Sequence, residues 1–137
     1  MKKIKIVIQK VTSQEDIARL REEMKSYYNA RLKGKTIVNR QKGISVIFSS
    51  TGRQHVLYAR KVAFEKLIAI TKLDEMVEYA LFTNFKNPDP DDDPQNIIGY
   101  MNFMVPVSIN NALHRFRLVV RITKDGKFYY DHAVKIK

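Results

Sequence analysis

The sequence predicts an α+β domain in which N-terminal helices pack on one face of a C-terminal antiparallel sheet. Three observations predict this fold: helical spacing of apolar residues in the first half, two tight turns near the end, and a closing meander whose two faces differ in chemistry. A chain of 137 residues with 45% hydrophobic content is enough for one core and short for two. We therefore expect a single domain spanning residues 1–137.

The sequence pattern of residues 3–48 predicts a strand, a helix and two short strands. Residues 3–9 alternate isoleucines with mostly polar residues, which is typical of a strand. Ser13 is a good helix N-cap with Asp16 at the third helical position, and the amphipathic helix that follows ends at Gly34. Short strands are then expected at the positions that follow: residues 36–38 and 44–48, separated by a turn at Gly43.

A second helical region is predicted before the closing sheet. Apolar residues recur at helical spacing from residue 53 to Ala80, with a break near Thr71. Residues 80–85 then resemble a further strand. The loop at residues 86–96 contains three prolines and four aspartates and lacks the spacing of a calcium loop, so we interpret it as solvated.

The Asn110-Asn111 pair predicts a two-residue hairpin turn, because asparagine tolerates the positive φ that such a turn needs. Ile109 then pairs with Ala112. One face becomes almost wholly apolar, with these opposed sets: Met101, Phe103, Val105 and Val107 against Val120, Leu118, Phe116 and His114. The reverse face carries the other residues: Tyr100, Asn102, Met104, Pro106 and Ser108 against Arg121, Val119, Arg117, Arg115 and Leu113.

The Lys124-Asp125-Gly126 turn fits two registers, and the hydrophobic pattern favours a three-residue loop with Gly126 in the left-handed conformation. A two-residue Asp-Gly turn would place four apolar residues on the arginine side. With the three-residue loop the apolar face gains Phe128, Tyr130, Val134 and Ile136, and it also holds His132. The arginine face gains Tyr129, Asp131, Ala133 and Lys135.

Composition indicates a partner of opposite charge. The formal net charge is +11, from 25 Lys and Arg against 14 acids, which favours RNA, DNA, phosphorylated ligands, acidic proteins or anionic lipid. The absence of cysteine excludes disulfides and thiolate chemistry. No apolar run is long enough to span a bilayer and no signal-peptide core follows Met1, so we expect a cytoplasmic protein, with secretion or injection within a larger protein left open.

Several runs resemble a known family. They are residues 27–39 (YYNARLKGKTIVN), 43–49 (GISVIFS), 61–79, 106–107 (PV), 117–121 (RLVVR) and 128–132 (FYYDH). Together they resemble the nuclease-like domains of phage and mobile-element polyvalent proteins, within the barnase/EndoU/colicin/RelE-like ribonuclease superfamily. The resemblance covers residues 25–137.

The resemblance implies a barnase/RelE-like fold whose open sheet face binds RNA without a metal or other cofactor. Members of that superfamily act as toxins or are injected with phage or plasmid DNA. The partners it implies are RNA, with tRNA as one candidate, and an acidic immunity or antitoxin protein. Oligomeric state is left open, because the strand at residues 3–9 could be an edge that pairs with another copy.

Metal-independent RNA cleavage needs a base, an acid and cations for the phosphoryl oxygens. We expect His55 to act as base or acid, because it lies near the start of the second helical region. The remaining candidate catalytic residues are the phosphate-clamping Arg117 and Arg121 and the complementary Tyr129 or Asp131. The candidate substrate-binding residues are Arg53, Arg60, Lys61, Tyr100, Asn102 and Arg115.

Each of these assignments has a plainer interpretation. His55 can be a helix cap or a solvated residue, and Arg117 and Arg121 beside Asp131 can be cross-strand ion pairs on a solvated face. Two functions therefore stand: a metal-independent endoribonuclease, toxin-like or phage-associated, or a non-catalytic nucleic-acid- or protein-binding module with a degenerate nuclease fold. They differ in whether a proton-transfer group lies beside the arginines.

Overall fold

In the part of the chain that the structure describes, seven strands form one mixed sheet. The computed structural model describes residues 3–10, 13–49 and 64–136. The strands are β1 (Ile4–Ile6), β2 (Thr36–Val38), β3 (Ser45–Ile47), β4 (Leu81–Lys86), β5 (Ile97–Ile109), β6 (Ala112–Thr123) and β7 (Phe128–Ile136). The helices are α1 (Gln14–Tyr27), extended by a π-helical turn (Tyr28–Leu32), then α2 (Phe64–Ile68), a 3-10 turn (Ala69–Lys72) and α3 (Leu73–Tyr79).

The strand order is β1-β5-β6-β7-β3-β2, and β4 also pairs with β5. The β5, β6 and β7 strands form the predicted antiparallel meander, which confirms the α+β class. Two pairs, β1 with β5 and β3 with β7, are parallel, so the whole sheet is mixed. Parallel neighbours require long crossover connections, and the helices supply part of them.

The predicted helix boundaries follow from capping and from a change of helix type. Ser13 Oγ accepts a hydrogen bond from Asp16 N at 3.1 Å, and Gly34 has a φ of 82°, so both ends of the first helical region are confirmed. The break predicted near Thr71 is the 3-10 turn between α2 and α3. The predicted start of that region, at residue 53, lies outside the described residues.

The β5–β6 hairpin has the predicted register from the turn back to the Tyr100–Arg121 pair, and an irregularity between Ile97 and Gly99 shifts the register beyond it. Asn110 and Asn111 have φ of 50° and 67°, and Ile109 pairs with Ala112. The β6–β7 connection is also the predicted three-residue loop, with Gly126 at a φ of 79°. Accordingly Tyr130 lies on the core side and is fully buried.

The predicted register of β7 is wrong beyond Tyr130. A bulge leaves Asp131 as an extra residue, so Val120 pairs with Tyr130 while Val119 pairs with His132. One extra residue reverses which face every later side chain occupies. The reversed residues are His132, Val134 and Ile136, now on the arginine face, and Ala133 and Lys135, now on the core side.

The core lies between the helices and one face of the sheet. Three of its fully buried rings pack in a row: the Tyr28 and Phe48 centroids are 6.2 Å apart, and those of Phe48 and Tyr130 are 5.2 Å apart. Helix residues Leu67 and Met76 close it from the other layer. No helix in the described part of the chain is long and apolar enough to cross a membrane.

A groove on the open face of the sheet as candidate functional site

The sheet face turned away from the helices holds an open groove of about 1140 Å³. Side chains from the three meander strands form its floor: Tyr100, Asn102, Arg117, Val119, Arg121, Tyr129, Asp131 and His132. The β4–β5 loop forms one wall and contributes the carboxylates of Asp89, Asp92 and Asp93. Lys86 and Lys124 also line the groove, which therefore carries both signs of charge.

Asp131 and His132 form a close pair on the floor. His132 Nδ1 lies 2.6 Å from Asp131 Oδ2, and the two side chains are 31% and 10% exposed. Successive residues of a regular strand point to opposite faces, so the bulge at Asp131 is what brings both into the groove. A histidine held in this way through one ring nitrogen is suited to proton transfer through the other.

Arg121 is bound on two sides by groove residues. Its Nη1 lies 3.2 Å from Asp131 Oδ1, and its guanidinium carbon lies 5.2 Å from the centre of the Tyr129 ring. The Arg121 side chain is only 15% exposed. Asp131 therefore joins Arg121 to His132, with one carboxylate oxygen directed to each.

Arg117 lies on the same strand and the same face as Arg121. It pairs with Met104 and Val134 across the neighbouring strands, lines the groove and is exposed. Guanidinium groups can bind two phosphate oxygens at once. Of the two predicted phosphate ligands, Arg117 is thus the one whose side chain is open to solvent.

A hydrogen bond to Tyr100 holds the acidic β4–β5 loop against the sheet. The Tyr100 hydroxyl donates to Asp93 Oδ1 at 2.7 Å, and the backbone N of Asp89 donates to Asp93 Oδ2 at 2.6 Å. Burial and the bond to Asp93 raise the pKa of Tyr100, and the same bond lowers the pKa of Asp93. At its far end the loop is tied by a 2.8 Å bond from Lys124 N to Asn96 O.

The structure brings together only part of the predicted site. The six predicted residues that line the groove are Arg117, Arg121, Tyr129, Asp131, Tyr100 and Asn102. Arg115 is exposed on the same face, paired with Pro106, but does not line the groove. His55, Arg53, Arg60 and Lys61 lie outside the described residues.

His132 is the groove residue that the sequence interpretation missed, since it was assigned to the apolar face. The available signal was the polar pair Asp131-His132, which interrupts the alternation of β7 and marks a bulge. Within the part of the chain that the structure describes, no three His, Cys, Asp or Glu side chains are grouped so as to hold a metal ion.

The fold and the groove together define an α+β domain with a charged cleft on its solvent-facing sheet. The family model described as large polyvalent protein-associated domain 3 matches residues 15–130, and the chain belongs to that family. This membership supports the expected association with phage polyvalent proteins, while the nuclease superfamily is not confirmed. Comparison with curated proteins and with solved structures gives no match.

Proposed function

We propose that the domain is a metal-independent endoribonuclease that binds RNA in the groove and cleaves it by general acid and base chemistry. The observation that carries the proposal is the 2.6 Å contact between His132 Nδ1 and Asp131 Oδ2, in the groove that Arg117 also lines. A proton-transfer group beside arginine is the feature that separates a nuclease from a passive binding module.

The proposal gives His132 the role of general base. Imidazole gains and loses a proton near neutral pH, so it can take a hydroxyl proton without a metal. An ionised carboxylate can only accept, so in this proposal His132 Nδ1 carries the hydrogen towards Asp131 Oδ2 and Nε2 is the basic nitrogen of the neutral ring. The His132 side chain lines the groove and is 31% exposed, so a bound RNA strand can approach it.

The reaction is a transfer of the phosphoryl group to the neighbouring ribose oxygen. His132 Nε2 takes the proton of the 2′-hydroxyl, and O2′ bonds to phosphorus as the bond from phosphorus to O5′ breaks. The Tyr129 hydroxyl, which lines the same floor, gives a proton to the leaving O5′. The products are a 2′,3′-cyclic phosphate and a 5′-hydroxyl. His132 then loses the proton it gained to water, and Tyr129 regains a proton from water.

Substrate binding is assigned to the rest of the floor. Arg117 is exposed and holds the phosphate oxygens, while Tyr100 and Asn102 face the nucleotides on the neighbouring strand. The net charge of +11 raises the local concentration of RNA and makes binding sensitive to salt.

The direct test incubates the purified protein with an end-labelled single-stranded RNA in excess chelator. We expect fragments ending in 2′,3′-cyclic phosphate, and no cleavage at a nucleotide whose 2′-hydroxyl is replaced by hydrogen. His132→Asn should lower the cleavage rate by at least about 100-fold. Arg117→Met should chiefly raise KM, because it removes a phosphate ligand.

A matched control is available in His114, which lies on the opposite face of β6 and pairs with Val107. His114→Asn should cleave like the wild type. His55→Asn tests the histidine that the sequence analysis favoured. A wild-type protein that yields no fragments refutes the proposal, and full activity of His132→Asn refutes the assignment of the base.

A second candidate function is a non-catalytic RNA-binding module. Two observations favour it: Arg121 is already paired with Asp131, and the three wall carboxylates reduce the positive charge of the groove. This function predicts a salt-sensitive mobility shift with RNA and no fragments under any condition.

A further inference from the structure

We propose that Arg121 is a positioning residue, which acts on His132 through Asp131 and does not bind the phosphate. The expected effect on RNA cleavage rests on the proposed function, whereas the expected effect on the tautomer of the His132 ring does not. The inference also reassigns a residue that the sequence pattern placed in the phosphate clamp.

The two carboxylate oxygens of Asp131 contact different residues. Oδ1 lies 3.2 Å from Arg121 Nη1 and Oδ2 lies 2.6 Å from His132 Nδ1. A carboxylate only 10% exposed needs its charge compensated, because burial disfavours the ionised form. Arg121 supplies that compensation, so it keeps Asp131 ionised and able to accept from the Nδ1–H of His132.

Arg121 is poorly placed to bind a phosphate as well. Its side chain is 15% exposed, compared with 31% for His132, and the guanidinium lies against the Tyr129 ring at 5.2 Å. The cation–π contact with Tyr129 and the ion pair with Asp131 both restrain the guanidinium. A planar group fixed on two sides orients its neighbours, whereas a ligand for an incoming phosphate must offer its donors to the groove.

The consequence is a fixed tautomer for the neutral ring of His132. With Asp131 ionised, Nδ1 carries the hydrogen and Nε2 is the basic nitrogen presented for proton transfer. Without Arg121, the carboxylate loses the cation at Oδ1 and becomes a weaker acceptor for Nδ1–H. The ring then distributes between its two tautomers, and only part of the population has Nε2 ready to take a proton.

The test is long-range ¹H–¹⁵N NMR of the imidazole rings at about pH 8, where an ordinary histidine is neutral. His132→Asn assigns the signals of His132 among the three histidines of the chain. We expect the Nδ1–H tautomer in the wild type and a mixture of both tautomers in Arg121→Met. Arg31→Met, which removes an exposed arginine from the π-helical turn outside the groove, should leave the wild-type spectrum.

Kinetics supply the second measurement. Arg121→Met should lower kcat by about 10- to 100-fold, the usual effect of removing a residue that orients a reacting side chain, with KM changed by less than about twofold. Arg121→Lys keeps a cation beside Asp131 and should recover much of the Nδ1–H population. A variant that merely perturbed folding would not show this recovery together with an unchanged KM.

The outcomes separate this inference from the proposed function. An Nε2–H tautomer in the wild type overturns the inference without any variant. So does an unchanged tautomer in folded Arg121→Met, or a raised KM with unchanged kcat, which would make Arg121 a phosphate ligand. If the wild type cleaves no RNA, the proposed function fails, while the tautomer measurement still decides whether Arg121 positions His132.

Discussion

His132 Nδ1 lies 2.6 Å from Asp131 Oδ2, although the two residues are consecutive in β7. In a regular strand their side chains would lie on opposite faces of the sheet. The bulge opposite Val119 and Val120 places both on the groove side, and Arg121 then pairs with the second carboxylate oxygen. A local irregularity of the ladder thus creates the group of residues on which the proposed chemistry depends.

The Arg121–Asp131 pair should be strongly coupled in stability. We predict that Asp131→Ala destabilises the domain by about 3 kcal/mol, because it leaves a guanidinium only 15% exposed without its partner. Arg121→Met should cost a similar amount, and the double variant should cost less than the sum by about 1–3 kcal/mol. Urea unfolding of the four proteins measures this coupling, and strictly additive losses would contradict it.

The hairpin between β5 and β6 was predictable because local chemistry determines it. Asn110 and Asn111 adopt the positive φ that fixes a two-residue turn, and the turn then fixes every pair back to Met101 with Val120. The same reasoning succeeded at Gly126. Where the turn residues specify the strand register, the hydrophobic alternation only has to be consistent with that register for the prediction to succeed.

The rest of β7 was not predictable from alternation alone. Alternation shows only which residues of a strand share a face of the sheet. One extra residue at Asp131 moves every later side chain to the opposite face. The parallel pairing of β1 with β5 was also not predicted, because partners such as Ile4 and Val107 are far apart in sequence and no local sequence signal indicates that they pair. The extra residue at Asp131 is the reason that His132 was assigned to the wrong face.

Tyr130 offers a test of buried polar groups. Its hydroxyl is buried and has no hydrogen-bond partner among the described residues, and burial raises its pKa. Removing an unsatisfied buried hydroxyl removes a desolvation penalty, so Tyr130→Phe should be neutral or stabilising by up to about 1 kcal/mol. Thermal unfolding measures the change, and a loss of more than about 1 kcal/mol would show that the hydroxyl is satisfied.

Tyr28 is the matched comparison in the same ring cluster. Its hydroxyl donates to Ser49 O at 2.6 Å, so Tyr28→Phe leaves a carbonyl without this donor. We predict a loss of about 1–2 kcal/mol in the free energy of unfolding. The two Tyr→Phe changes should therefore differ in sign or clearly in size, and equal effects would contradict the assigned hydrogen bonding.

Asn39 should be among the least replaceable polar residues. It is 1% exposed, its Nδ2 donates to Val77 O at 2.8 Å and to Ala80 O at 2.9 Å, and its Oδ1 accepts from Lys42 N at 2.9 Å. It thus satisfies backbone carbonyls at the end of α3. Asn39→Ala should cost about 3 kcal/mol by chemical denaturation, because two buried carbonyls and one partly buried N–H lose their partner.

Asn39→Asp should be worse than Asn39→Ala at neutral pH. It keeps the size of the side chain but replaces the donor Nδ2 by an oxygen that faces the carbonyls of Val77 and Ala80, and a buried charge directed at acceptors is strongly disfavoured. Lowering the pH should recover part of this loss, since protonation removes the charge. An aspartate variant as stable as the wild type at pH 7 would show that the site is open to water.

The Tyr100–Asp93 hydrogen bond, which holds the β4–β5 loop against the sheet, should lose its contribution to stability at low pH. The bond lowers the pKa of Asp93, so its contribution to stability is complete above the pKa of an unfolded aspartate, about 3.9, and is lost as pH falls through the lower folded value. Asp93→Asn should therefore lower Tm at pH 7, and the difference from wild type should shrink below about pH 4. Asp91→Asn removes the same charge from the same loop without breaking the bond to Tyr100, so it is the control and should leave Tm at pH 7 close to that of the wild type. A Tm difference for Asp93→Asn that persists unchanged at pH 3 would mean that the ionised carboxylate is not what holds the loop.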